Sequence, residues 1–112
     1  SIVRGALAVV VVHNDGGRIF ERLPLARDDA LAAARERLFV APHGRAFDGL
    51  AATWGLGYAR VDTPAALRAA LAQALGAERA VLIEARVAPG GSARRAALLA
   101  AMARAAEPAD GT

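Results

Sequence analysis

A layered α/β fold built on a mostly parallel sheet is the architecture this sequence predicts, and three observations predict it. Residues 6–12 form a continuous valine-rich apolar run, the pattern of a strand buried on both faces of a parallel sheet. Two later apolar runs, 58–61 and 79–87, flank an amphipathic stretch opened by Thr63-Pro64, the order of strand, crossover helix and parallel strand. No internal repeat or linker interrupts the 112 residues, so the chain reads as a three-layer sandwich with right-handed crossovers in one domain spanning 1–112.

The first strand, 6–12, empties into His13-Asn14-Asp15-Gly16-Gly17, a loop at the carboxyl end of the strand, where open α/β sheets bind ligands. Residues 28–38 are expected to form a short helix with Asp28 or Asp29 near its N-cap, and Pro42-His43-Gly44 breaks the chain. Residues 47–54 place Phe47, Leu50, Ala51 and Trp54 at i, i+3, i+4, i+7 spacing, predicting a helix ended by Gly55 and Gly57. After the strand at 58–61, Thr63 caps a helix with Pro64 in its first turn; Leu67, Ala70, Leu71, Ala74 and Leu75 form its apolar stripe, and Gly76 stops it. The strand at 79–87 follows. Ser92 then caps a last helix that turns Leu98, Leu99 and Met102 inward, and residues 107–112 are expected to be a disordered tail.

Composition narrows the function classes. All fourteen basic residues are arginine, set among eleven acids for a net charge of +3, with no basic run longer than Arg94-Arg95, so no nucleic-acid stripe exists. The absence of cysteine excludes disulfides and thiolate metal sites and suits a reducing cytoplasm. The apolar run at 6–12 is too short to span a bilayer, and the polar His-Asn-Asp after it is unlike a signal-peptide cleavage site.

Asn14, the only asparagine, offers a neutral amide oxygen, and Gly16 and Gly17 permit positive φ and close approach of backbone to a ligand. Magnesium takes few protein oxygens and completes its octahedron with phosphate and water, so Asn14 Oδ1 and the Gly16 carbonyl suit a magnesium diphosphate. The bland alternative is a turn, since Asn-Asp-Gly is common turn chemistry. His43 reads as a loop hydrogen-bonder with no nucleophile or acid beside it, Trp54, Tyr58 and Met102 as packing residues, and Glu84, in an apolar strand, as paired with an arginine. Arg18 reads as an exposed loop residue, with attraction of a substrate carboxylate as the alternative.

The run 10–24, Val-Val-Val-His-Asn-Asp-Gly-Gly-Arg-Ile-Phe-Glu-Arg-Leu-Pro, resembles the diphosphate-binding segment of thiamine-diphosphate-dependent enzymes. It is most similar to the menaquinone-pathway synthase (MenD) family, whose segment usually reads Asn-Asn-Asp-Gly-Gly-Gly-Ile-Phe and then Leu-Pro. Leu38-Phe39-Val40-Ala41-Pro42-His43-Gly44, Phe47-Asp48-Gly49-Leu50-Ala51 and Val81-Leu82-Ile83-Glu84 resemble further segments of that family. The chain departs from the pattern at His13, at Arg18 and along 88–92.

The resemblance implies the C-terminal half of a thiamine-diphosphate-binding domain, with Asn14 and the Gly16 carbonyl on Mg²⁺. It also implies Asn14, Asp15, Gly16 and Gly17 around the cofactor, and Ile19 and Phe20 on the substrate side of the thiazolium. The implied reaction is decarboxylation of 2-oxoglutarate and addition of the remaining succinyl-semialdehyde unit to isochorismate. A homodimer or homotetramer is implied as well, with further domains supplying the activating glutamate. Only thirteen residues precede Asn14 and none is acidic, so the family's Gly-Asp metal ligand is expected outside this chain, which reads as an inactive fragment. A piece of an acetolactate-synthase-like enzyme and a non-catalytic α/β binding module are the alternatives.

Overall fold

The computed structural model describes residues 5–106, Leu25 by its backbone alone; the tail expected at 107–112 lies outside the described residues. The chain divides into two compact units, one made of Ser1–Asp15 with His43–Val87, the other of Gly16–Pro42 with Ala88–Thr112.

The first unit carries the sheet: β1 (Leu7–His13), β2 (Gly57–Val61) and β3 (Ala80–Arg86), all parallel, in the order β1-β3-β2. Register assigns the faces, because side chains alternate along a strand. Val81, Ile83 and Ala85 pair with Ala8, Val10 and Val12 on one side and with Gly57, Ala59 and Val61 on the other. Against that face lies α3 (Pro64–Gly76), whose Ala70 and Ala74 close on Val61, Ile83 and Ala85 with Leu67 and Leu71 at the margin. Thr63 caps α3, its hydroxyl accepting from Ala66 N at 3.1 Å, and Pro64 follows in the first turn.

The opposite face presents Leu82, Glu84, Val11, His13 and Tyr58. It is covered from α2 (Asp48–Thr53), whose Ala51 is buried and whose preceding residue, Phe47, sends its amide to Glu84. Gly55 (φ +66°) reverses the chain after α2, and Leu56 N returns to the Ala51 carbonyl at 2.8 Å. Helices on both faces of a parallel sheet make the three-layer α/β arrangement the sequence predicts.

The expected burial of residues 6–12 on both faces is corrected. β1 is an edge strand, with Leu7, Val9 and Val10 each about two-fifths exposed and Val12 at 68 %. Trp54, expected to pack, is 70 % exposed, because α2 is too short to bring a residue beyond Ala51 onto the sheet.

In the second unit, the helix expected at 28–38 is three dissimilar turns. A 3₁₀ turn at Asp29–Leu31 leads into one α-turn, α1 (Ala32–Arg35), and then a π-helical turn, Glu36–Val40. Asp28 is the N-cap as expected, its Oδ1 accepting from Ala30 N at 2.9 Å. Ala41, in the left-handed region, ends the π-turn, its amide bonded to the Glu36 carbonyl.

The last helix, α4 (Gly91–Ala106), begins one residue before Ser92, which therefore stands inside the first turn instead of capping it. Leu98, Leu99 and Met102, expected inward, are 61 %, 46 % and 59 % exposed, and α4 buries no residue. The described residues contain no helix long and apolar enough to cross a membrane.

Candidate functional site

β1 ends at His13, and the two residues after it close the first unit at the carboxyl edge of the sheet. Asn14 is exposed there. Asp15 adopts a positive φ of 54°, and its Oδ1 accepts from Gly44 N at 2.8 Å and His43 N at 3.2 Å. The Gly44 amide, with a second bond from His43, holds the Asp15 carboxyl below its ordinary range. Asp15 thus ties the Pro42-His43-Gly44 bend to the end of β1.

Beneath this bend lies a fully buried carboxylate. Glu84, 0 % exposed in β3, accepts at Oε2 from Tyr58 Oη at 2.5 Å and Phe47 N at 2.9 Å, and at Oε1 faces His13 Nδ1 at 2.7 Å and Arg86 Nη1 at 3.3 Å. Burial pushes its pKa up, but the bonds from Tyr58, Phe47, His13 and Arg86 outweigh that and hold it at about 2. An ionised carboxylate only accepts, so the 2.7 Å contact places a proton on His13 Nδ1, and Arg86 Nη1, a donor only, stands 2.9 Å from that same nitrogen while also reaching Glu84 Oε1.

The His13 ring, itself 4 % exposed, stacks parallel on His43 with centroids 4.9 Å apart and meets Phe47 edge-on at 5.1 Å. Its Nε2 stands 3.2 Å from His43 Nε2, and His43 Nδ1 accepts from Arg45 N at 3.0 Å. His43 is therefore the loop hydrogen-bonder the sequence suggested, and Glu84 does meet an arginine. Tyr58 holds the buried acid in addition to packing. What sequence reasoning missed is His13, read only as a departure from a motif. Its signal was a polar residue at the end of a strand register that also carries an isolated acid.

The remaining loop residues belong to the second unit. Gly16 has φ +138°, and a Cβ there would stand 2.4 Å from the Val40 carbonyl oxygen and 2.9 Å from Val40 Cγ1, so only glycine fits. Gly17 N donates to that same carbonyl at 2.9 Å, which commits this amide within the protein. Ile19 and Phe20 open a 3₁₀ turn, Ile19–Arg22; Ile19 is 77 % exposed, while Phe20 meets Phe39 edge-on at 5.3 Å. Arg18 is not the exposed loop residue expected: it is held by Glu21 at 2.8 Å and Glu36 at 3.5 Å beside a cleft of about 710 Å³ that Arg22, Arg27 and Arg35 also line.

A parallel, helix-covered sheet whose strand end carries a glycine-rich loop is an α/β domain of the kind in which ligands bind at the carboxyl ends of the strands. No family model matches the chain. Comparison with curated proteins does find relatives, named 2-succinyl-5-enolpyruvyl-6-hydroxy-3-cyclohexene-1-carboxylate synthases. The Sorangium cellulosum protein is 48 % identical over 96 residues, covering 86 % of this chain and 15 % of the relative. That of Salinibacter ruber is 42 % identical over 80 residues, 71 % of this chain and 13 % of the relative. The Roseiflexus sp. protein is 38 % identical over 94 residues, 83 % of this chain and 16 % of the relative. The chain thus matches one segment of the 2-succinyl-5-enolpyruvyl-6-hydroxy-3-cyclohexene-1-carboxylate synthase family and spans about a seventh of those relatives' length.

Proposed function

We propose that this chain is the magnesium- and diphosphate-binding portion of such a synthase, a cytoplasmic, thiamine-diphosphate-dependent transferase of menaquinone biosynthesis. The observation that carries the reading is that 38–48 % identity extends over 71–86 % of the chain. A turn motif alone would not extend its likeness over most of the chain.

The donor chemistry fits the group. Asn14 Oδ1 and the Gly16 carbonyl are hard, neutral oxygens two residues apart, suited to a small octahedral cation that keeps its other positions for phosphate, water and a carboxylate. Gly16 and Gly17 run against the Val40 peptide, which fixes the loop backbone. Asp15 acts by pinning the His43-Gly44 bend, and its carboxylate stays charged beside the cation site. Ile19 and Phe20 supply an apolar surface toward substrate that excludes water.

When bound, thiamine diphosphate supplies the electron-sink chemistry for decarboxylating 2-oxoglutarate and joining the remainder to isochorismate. The glutamate that activates the cofactor and the carboxylate on the metal come from other parts of the assembled homo-oligomer, so the 112-residue chain alone does not turn over. The test is Asn14→Ala in the full-length protein. It is expected to lower product formation from 2-oxoglutarate and isochorismate about 100-fold or more, by analogy with the loss of one preorganised electrostatic contact, and to raise the magnesium requirement. An unchanged magnesium dependence, or product formation by the purified chain on its own, refutes the reading.

A further inference from the structure

We propose that His13, His43 and Asp15 form a second, nitrogen-rich site for a divalent transition metal of the zinc class, separate from the oxygen ligands Asn14 and Gly16. The three residues each offer one ligand atom, and these atoms all lie within 4.8 Å of one another. Two imidazole nitrogens bound at ~2.0–2.1 Å on a tetrahedral centre stand about 3.3 Å apart. His13 Nε2 and His43 Nε2 stand 3.2 Å apart. Asp15 Oδ1 lies 3.9 Å from His13 Nε2 and, with all three ligand atoms within 4.8 Å of one another, a small closure of the bend brings it into the set.

The surroundings of His13 are those of a ligand histidine. The buried Glu84 carboxylate at 2.7 Å draws the proton to Nδ1 and leaves Nε2 as a lone pair, the carboxylate–histidine–metal arrangement, with Arg86 Nη1 bridging to the same carboxylate 2.9 Å from Nδ1. Tyr58 and the Phe47 amide in turn hold Glu84, so the ligand ring is orientated before any metal arrives.

Without metal, His43 Nε2–H donates to His13 Nε2, because His43 Nδ1 accepts from Arg45 N. Loading therefore moves the His43 proton from Nε2 to Nδ1 and releases the Arg45 amide, which is exposed and takes water instead. Two imidazoles and one carboxylate leave a fourth position open to water. Imidazole ligands favour nickel, copper and zinc over magnesium, which prefers oxygen, so the two sites select different ions.

Titration of the metal-free purified chain with Co²⁺, read by the visible bands of four- or five-coordinate cobalt, tests the proposal. The expected result is one equivalent of intense bands that Zn²⁺ bleaches and that a large excess of Mg²⁺ leaves intact. His43→Ala, at an exposed loop position, is expected to abolish the bands while far-ultraviolet circular dichroism stays unchanged. Glu84→Gln is expected to weaken cobalt binding about 10- to 100-fold. Absence of the bands from the wild-type chain, their persistence in His43→Ala, or their displacement by Mg²⁺ would each overturn the site. None of these results bears on the synthase reading, which rests on Asn14 and magnesium.

Discussion

Single residues set the tightest constraints in this chain. Gly16 and Gly44 both have positive φ, +138° and +60°, yet only Gly16 is hemmed in, with the Val40 carbonyl 2.4 Å from where a Cβ would sit. Gly44→Ala pays only the left-handed cost of about 1–2 kcal/mol. Gly16→Ala adds a clash with backbone that cannot rotate away, so its loss of stability is expected to reach about 3 kcal/mol or more. Urea denaturation of the two variants measures the difference, and equal losses would mean that the Gly16 peptide does not lie against Val40.

Tyr58 gives a sharper readout, because it is the only tyrosine. Burial and its bond to the ionised Glu84 push its pKa from 10.0 to about 12. The fold binds the phenol proton more tightly than the unfolded chain does. Its contribution to stability is therefore complete below pH 10 and lost as pH climbs toward 12. Absorbance titration of the phenolate should show a midpoint near 12, moving to about 10 in denaturant; a native midpoint near 10 would detach Tyr58 from Glu84. Tyr58→Phe leaves a buried charge short of one donor and is expected to cost about 1.5–3 kcal/mol.

At the scale of elements, local signals were legible and long-range ones were not. The helix α3 could be read because its cap, its first-turn proline and its stripe all lie within residues 63–76. Asp28 was legible as a cap for the same reason. The edge position of β1 was not, since its place beside β3 depends on strands about 70 residues apart, and a valine run looks alike at an edge and in a centre.

The site divides in the same way. The Asn14-Asp15-Gly16-Gly17 loop stood out by composition, whereas the Glu84 hub joins partners 71, 37 and 26 residues away in sequence. The π-turn at Glu36–Val40 replaced an expected α-helix because the chain delivers the Val40 carbonyl to Gly17. An apolar edge strand invites pairing with other chains. Val12, 68 % exposed at that edge, is where a charge should help: Val12→Lys is expected to lower light scattering on concentration with a stability change within about 0.5 kcal/mol. Unchanged scattering would place the aggregation surface elsewhere, among the exposed residues of α4.

For the whole molecule, the decisive fact is where burial is spent. Nine apolar residues are buried among those described, five of them alanines, and only Val40 belongs to the second unit. Alanine removes little area from water, so even the sheet unit rests on a small core centred on Ile83 and Leu82. The second unit has less still: its longest element, α4, runs sixteen residues without burying one, whereas α3, at thirteen, buries Ala70 and Ala74 against the sheet. Isolated helices of that length are marginal in water, so packing rather than propensity decides which of the two persists.

Local opening energies should follow the same division. In amide hydrogen exchange the slowest amides are expected in β3 around Ile83 to Ala85, with α3 next, while α4 exchanges faster than α3 by about 100-fold or more, equivalent to roughly 3 kcal/mol of local stability. Protection of α4 equal to that of α3 in the purified chain would show that α4 is held by contacts its exposed Leu98, Leu99 and Met102 do not reveal.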